Sequence, residues 1–148
     1  MAEQARTAGV ALNIKIPPEL PWLRADERKI QRVLSHLLTK AIKFTPSGGT
    51  VELLCRAGRD SGLAITVVDS GPGIAPEQMR RVLEALEQVQ SPSAGMQQAS
   101  GLGLPLVKAI MALHGGTLQL ESAPDAGTRA TITFPADRLV FDALRPAA

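Results

Sequence analysis

The chain has few of the residues on which nucleic-acid-binding and disulfide-bonded proteins depend. Aromatic residues make up 3% of its 148 residues and there is no Tyr, so a base-stacking surface is not expected. The one cysteine, Cys55, cannot form an internal disulfide, and it falls in a strand-like run where a buried, inert thiol is expected. A reducing compartment, and therefore a cytoplasmic location, is predicted.

Long apolar runs are also missing. No run reaches the roughly 18 residues that a membrane-spanning helix needs. The first ten residues lack the apolar segment of a signal peptide, so we expect no direct membrane contact by this domain. The net charge of +2 is mild, which argues against a nucleic-acid partner.

The apolar content of 45% is enough for one domain with its own core. The pattern runs strand, strand, helix, two strands, helix, loop, helix, two strands. Because strands and helices do not alternate, this order predicts an α+β fold with a mixed, mostly antiparallel sheet and helices on one face. The predicted strands are 10–16, 22–25, 50–56, 63–68, 117–122 and 128–134, and the predicted helices are 26–46, 76–89 and 101–113. Residues 1–9 are expected to end an upstream helix or linker, 10–136 to form the domain, and 137–148 to form a tail.

The helix within 26–46 has two different faces. Apolar residues recur at the spacing of a buried stripe at Ile30, Val33, Leu34, Leu37, Leu38 and Ala41. A second stripe carries basic and imidazole groups at Arg32, His36, Lys40 and Lys43. Because like charges repel, this stripe is either solvated or faces an anion.

A carboxylate and two glycines follow the apolar strand 63–68. Ionised, Asp69 can only accept hydrogen bonds, so it suits a ligand amine or amide. Gly71 and Gly73 would let the backbone approach a flat ligand closely. A capped turn without a ligand is the alternative interpretation.

A second glycine pair, Gly101 and Gly103, opens the helix 101–113. Backbone N–H groups at such a helix N-terminus favour a phosphate group. The polar segment 90–100 before it has no periodicity and predicts a mobile lid. The pattern G-x-G-x-x-G is incomplete because Leu106 follows, so a Rossmann site is poorly supported.

These motifs resemble the ATP-binding catalytic domain of bacterial two-component sensor histidine kinases, within the wider group of gyrase-type and Hsp90-type ATPases. HLLTKAIKFTPSGG (36–49) is similar to the N box of that family, VDSGPGI (68–74) to its first glycine box, SGLGL (100–104) to its second, and Gly127-Thr128 to its last glycine position. The resemblance implies a Bergerat fold, a two-layer α/β sandwich with about three helices on one face and ATP held between the N-box helix and the lid.

The resemblance also assigns roles. Asp69 would accept a hydrogen bond from the adenine amino group, Lys43 would approach the phosphates, and the Gly101 and Gly103 amides would cradle them. The full implied nucleotide-binding set is Asp69, Gly71, Gly73, Ile74, Lys43, His36, Lys40, Ser100, Gly101, Leu102, Gly103, Leu104 and Thr131.

Two positions of the N box depart from the family. Lys40 stands where an Asn helps to hold Mg²⁺, and His36 also replaces an Asn. A protonated Lys has no lone pair for a metal, and two unit positive charges about 4 Å apart already repel by ~4 kcal/mol at an effective dielectric near 20, whereas Mg²⁺ carries two. Mg²⁺ binding is therefore doubtful, and Lys40 is either a solvated lysine or a direct partner of phosphate oxygens. Near the lid, Leu83 and Leu86 replace a Phe pair, and Ala99 replaces a glycine.

Two hypotheses follow from the resemblance. In the first, the domain binds ATP and donates its γ-phosphoryl group to a histidine on upstream dimerisation helices, with a response regulator as the further partner. In the second, it is a degenerate pseudokinase that acts through protein contacts, and an anti-sigma-type serine kinase is a third possibility. His36 and His114 lack the acidic residue that follows the family's phosphoacceptor, so this chain is expected to be the donor half, with His114 as a turn residue.

Overall fold

The computed structural model describes residues 2–87 and 104–140. Its elements follow the predicted order. The helices are α1 (Ala2–Ala8), α2 (Glu27–Phe44), α3 (Pro76–Glu87) and α4 (Leu104–Leu113), and a short 3₁₀ helix covers Ala136–Arg138. The strands are β1 (Ala11–Lys15), β2 (Trp22–Leu23), β3 (Thr50–Gly58), β4 (Gly62–Asp69), β5 (Thr117–Ser122), β6 (Thr128–Phe134) and β7 (Leu139–Val140).

Five strands form the main sheet, in the order β1-β3-β4-β6-β5. Only β1 and β3 are parallel, and the other three pairs are antiparallel. The strongly apolar β4 occupies the centre of the sheet, as its composition predicts. The expected mixed, mostly antiparallel sheet of an α+β fold is therefore confirmed.

The helices pack against one face of this sheet. Along β4, inward side chains such as Ile65 and Val67 are buried, while Ala64 and Thr66, which alternate with them, are only half-buried. Val33 of α2 and Met111 of α4 are fully buried against the inward side chains. The molecule is thus a two-layer sandwich, and the half-buried side of the sheet is called the outer face below.

The sequence determines both ends of α2. Asp26 is its N-cap, and the Asp26 carboxylate accepts a hydrogen bond from the Lys29 backbone N–H at 3.1 Å. At the other end Thr45 leaves the helix, because the residue before Pro46 disfavours the α region. The predicted apolar stripe is confirmed, with Leu34 half-buried and the remaining five residues buried.

His114 lies in the turn after α4, but it is also buried, with 5% of its surface exposed. Its Nε2 accepts a hydrogen bond from the Asp26 backbone N–H at 3.1 Å, and its Nδ1 lies 2.9 Å from the Ile110 carbonyl oxygen. The first bond makes Nε2 the acceptor, so Nδ1 carries the proton and donates to Ile110. His114 therefore joins the end of α4 to the start of α2.

Segments at both ends of the described chain also belong to the packed structure. Ala5 of α1 and the following Val10 are buried in the common core. At the other end, β7 pairs with β2, and Leu139 is buried. Among the described residues, none of the helices has the length and hydrophobicity required to cross a membrane.

Candidate functional site

A cleft of about 370 Å³ lies between α2, α3, α4 and the helix-covered face of the sheet. Its walls are mostly apolar. Among the described residues that line it, Lys40 and Asp69 are the two charged ones. The lining consists of Leu37, Lys40, Ala41, Phe44, Val67, Asp69, Pro72, Gly73, Ile74, Gln78, Val82, Leu104, Leu120, Thr128 and Ala130.

Asp69 ends the central strand β4 and is nearly buried, with 9% exposed. Its Oδ1 accepts backbone N–H bonds from Gly71 at 2.9 Å and from Thr128 at 3.2 Å. Burial raises the pKa of the carboxyl group, while these two N–H groups and the Lys40 ammonium act in the opposite direction. The two bonds fix the carboxylate through one oxygen, and none of the bonds seen among the described residues uses the other, which can accept from a donor in the cleft.

Two glycines allow close backbone packing in the turns next to Asp69. Gly73 has φ +77° and Gly127 has φ +75°, a region that side chains strongly disfavour. A Cβ at Gly73 would collide with the Ala123 carbonyl oxygen, and one at Gly127 with the Asp69 carbonyl oxygen. The glycine at 73 is therefore needed for the packing of two turns against each other.

Ser122 joins those two turns, and the sequence interpretation did not single it out. Its Oγ accepts a hydrogen bond from the Ile74 N–H at 2.8 Å and donates to the Gly127 carbonyl at 2.9 Å. The Asp125 N–H donates to the Pro72 carbonyl at 2.7 Å. The β5–β6 turn thus forms the support of the 70–74 turn.

On α2, the cleft-facing stripe is Leu37, Lys40, Ala41 and Phe44. The Phe44 ring is 49% exposed, and the Lys40 and Lys43 ammonium nitrogens each lie 5.9 Å from its centroid. Burial lowers the pKa of Lys40, and the negative charge of Asp69 opposes this shift. Lys40 is therefore a partly desolvated cation on the wall of the cleft.

The structure brings only part of the predicted site together. Asp69, Gly73, Ile74, Lys40 and Leu104 line the cleft. Gly71 supports it through its N–H bond to Asp69. His36 is half-buried and Lys43 exposed, and neither lines the cavity.

Thr131 lies elsewhere. It lines a second cavity, of about 610 Å³, on the outer face of the sheet, where its Oγ1 is 3.2 Å from that of Thr66. Thr128, three residues earlier on β6, lines the cleft instead. The predicted Ser100, Gly101, Leu102 and Gly103, the lid at 90–100 and Ala99 lie outside the described residues.

The charged groups of the described lining do not form a Mg²⁺ site. Magnesium requires oxygen ligands, whereas Lys40 presents an ammonium group without a lone pair. Asp69 is the one carboxylate of the described lining, and its Oδ1 already accepts two N–H bonds. The described part of the chain contains no group of three or more His, Cys, Asp or Glu placed to hold a metal ion.

Comparison with known proteins identifies the group to which this geometry belongs. Residues 25–138 match the family model of the histidine kinase-, DNA gyrase B-, and HSP90-like ATPases. The non-motile and phage-resistance protein of Caulobacter vibrioides is 39% identical over 135 residues, which are 89% of this chain and 16% of that protein. Histidine protein kinase DivJ of the same species is also 39% identical over 135 residues, with 89% of this chain and 22% of the relative covered. The chain therefore spans about a fifth of the length of these relatives.

Solved structures of histidine kinases share the fold of this chain. Full-length ShkA in complex with AMPPNP is 28% identical with a TM-score of 0.74, covering 91% of this chain and 27% of ShkA. The mycobacterial sensor histidine kinase MprB is 26% identical with a TM-score of 0.68, covering 90% of this chain and 87% of that structure. The alternative of a degenerate pseudokinase receives no support from these relatives. The chain belongs to the family of histidine kinase-, DNA gyrase B-, and HSP90-like ATPases, as an ATP-binding catalytic domain of the histidine kinase type.

Proposed function

We propose that this domain holds ATP in the cleft and donates its γ-phosphoryl group to a histidine on a dimerisation domain outside the chain. The arrangement of Asp69 carries the proposal. One carboxylate oxygen is fixed by two backbone N–H groups, and the other is available inside an otherwise apolar cleft. That geometry suits one amino donor on a flat, mostly apolar ring.

Adenine is the matching group. Its amino group would donate to Asp69, while the backbone at Gly73 and the side chain of Ile74 cover the ring. The cleft volume of about 370 Å³ falls within the roughly 300–1,000 Å³ of small-ligand sites. The structural neighbour ShkA was solved in complex with AMPPNP, which supports nucleotide binding by a domain of this fold.

The phosphates would leave the cleft towards the end of α2. There the exposed Lys43 is in reach of a polyanion, and the amides of Gly101 and Gly103 are proposed to cradle it, with Ser100 and Leu102 beside them. In the transfer, an imidazole nitrogen bonds to the γ-phosphorus as the bond to the bridging oxygen breaks. ADP leaves with that electron pair. The domain contributes positioning and charge neutralisation.

The partners follow from the same reaction. The acceptor histidine would lie on dimerisation helices upstream of this domain, and a response regulator would receive the phosphoryl group afterwards. We propose a cytoplasmic location because ATP is the donor, and a catalytic unit of residues 10–136, with residues 1–9, which pack on its core through Ala5, leading to those helices. The relatives that share this domain are much longer chains, which supports a separate acceptor domain.

Calorimetric titration of the domain with ATP tests the proposal. We expect Asp69→Asn to weaken ATP binding by about tenfold to a hundredfold, because an amide nitrogen then faces the adenine amino group. Asp60→Asn is the matched control, since Asp60 is an exposed carboxylate in the β3–β4 turn. Equal affinities for the wild type and Asp69→Asn would contradict the assignment of Asp69.

A further inference from the structure

The charges around the cleft are unevenly distributed for a triphosphate site. Lys40 is the one cation among the described residues that line the cavity, and it shares the cleft-facing stripe of α2 with Leu37, Ala41 and Phe44. Its ammonium lies 5.9 Å from the centroid of the half-exposed Phe44 ring. The cation is therefore held beside the aromatic ring at the end of α2, where the phosphates would emerge.

The segment between α3 and α4 adds no other charge. Residues 88–103, which include the predicted lid and second glycine box, contain no Asp, Glu, His or Cys and no Lys or Arg. This segment can supply neither a carboxylate for a metal nor a cation for phosphate. Of the described lining and this segment, only α2 therefore offers a cation for bound ATP.

We propose that Lys40 pairs directly with phosphate oxygens of bound ATP, so that the domain binds the nucleotide without Mg²⁺. The inference rests on the ATP binding proposed above. A free ATP molecule has more negative charge than its Mg²⁺ complex, and an ammonium group is a strong partner for phosphate as a point charge. A metal on the same oxygens would be repelled by Lys40, and Asp69 is the one carboxylate of the described lining that could ligate it.

Calorimetry with ATP, in EDTA and in excess Mg²⁺, tests this arrangement. The wild type should bind ATP in EDTA, and Mg²⁺ should weaken that binding about tenfold or more. Lys40→Asn should bind about tenfold to a hundredfold more weakly in EDTA, because it loses a charge-assisted bond. In this variant Mg²⁺ should no longer weaken binding.

Three controls make the result specific. Lys29→Asn removes the same charge from α2, but eleven residues and therefore ~16 Å before Lys40, and should change ATP affinity less than twofold. Lys40→Arg retains the positive charge and should bind ATP in EDTA with most of the wild-type affinity. Titration with adenosine, which has no phosphates, should give equal affinities for the wild type and Lys40→Asn.

The outcomes separate the two proposals. Wild-type binding that requires Mg²⁺ would overturn the role of Lys40 and leave the ATP site intact. A loss of adenosine affinity in Lys40→Asn would also overturn it, because Lys40 would then act through Asp69. No binding of ATP by the wild type in either buffer would overturn the proposed function and this inference together.

Discussion

Asp69 is a site residue whose burial disfavours the charged form of its carboxyl group. Burial raises its pKa above the ordinary value of 3.8. A carboxyl group with a raised pKa in the folded state favours folding most when protonated, so its contribution falls as the pH rises through the folded pKa. We therefore expect Asp69→Asn to raise the melting temperature at pH 7 and to have a smaller effect near pH 3.5. Calorimetric melting at both pH values measures this, and a variant that melts lower than the wild type at pH 7 would contradict it.

Gly127 provides a second prediction for a single residue. An Ala at this position meets two penalties, a φ of +75° and a collision of its Cβ with the Asp69 carbonyl oxygen. Gly48→Ala is a matched control, because Gly48 has φ +92° but no atom within 4 Å of an added Cβ. We expect about 1–2 kcal/mol of destabilisation for Gly48→Ala from backbone conformation alone, and more for Gly127→Ala. Urea unfolding measures the difference, and equal losses would mean that the collision is relieved without cost.

Residue patterns allowed part of the site to be predicted. Asp69 and its two glycines share one short motif, so the sequence alone indicates them as site residues. The family resemblance places Thr131 in the site, but the pattern along β6 contradicts this. Ala130, Ile132 and Phe134 alternate on the buried face, so Thr131 faces the outer side of the sheet. Ser122 carries no signal of its own, because its bonds to Ile74 and Gly127 exist only after two distant turns have packed together.

At the scale of secondary-structure elements, His114 connects α2 and α4 through hydrogen bonds that apolar packing of the two helices does not supply. Its Nε2 accepts a hydrogen bond from the backbone N–H of Asp26, the N-cap of α2. Its Nδ1 donates a hydrogen bond to the carbonyl oxygen of Ile110 near the end of α4. We expect His114→Ala to destabilise the domain by about 2 kcal/mol or more, because it leaves a partly buried N–H without a partner and opens a cavity. Leu113→Ala is the control, since Leu113 is 56% exposed and should change stability by less than about 0.5 kcal/mol. Similar urea midpoints for both variants would argue against a structural role of His114.

Local signals predict elements well where they are strong. Asp26 and Pro46 bracket α2, and strict alternation reproduces the bounds of β5 and β6. The β2–β7 pair was not predicted as a sheet, because two strands of two residues each are stabilised by a partner far along the chain. The hydrophobic periodicity of one segment contains no information about a partner strand so far along the chain.

At the scale of the whole molecule, the folded unit begins before the region that matches the family model. That match starts at residue 25, yet β1 pairs in parallel with β3, and Ala5 and Val10 are buried in the core. The exposed Lys15–Glu52 ion pair contributes little to this attachment. Burial of apolar side chains and the strand ladder are therefore what hold the N-terminal segment to the sheet.

Deleting residues 1–16 should accordingly destabilise the domain by about 3 kcal/mol or more, since it uncovers the apolar core beneath α1 and leaves β3 as an edge strand. Val10→Ala should reproduce part of this loss, about 1–2 kcal/mol, whereas Ile14→Ala should cost less because Ile14 is 58% exposed. Urea unfolding with intrinsic fluorescence of Trp22 reports all three.

If the truncated domain unfolds at the same urea concentration as the full chain, residues 1–16 are a linker and the autonomous unit begins near residue 17. If it is destabilised as expected, α1 and β1 belong to the same folded unit as α2, the helix that carries Lys40.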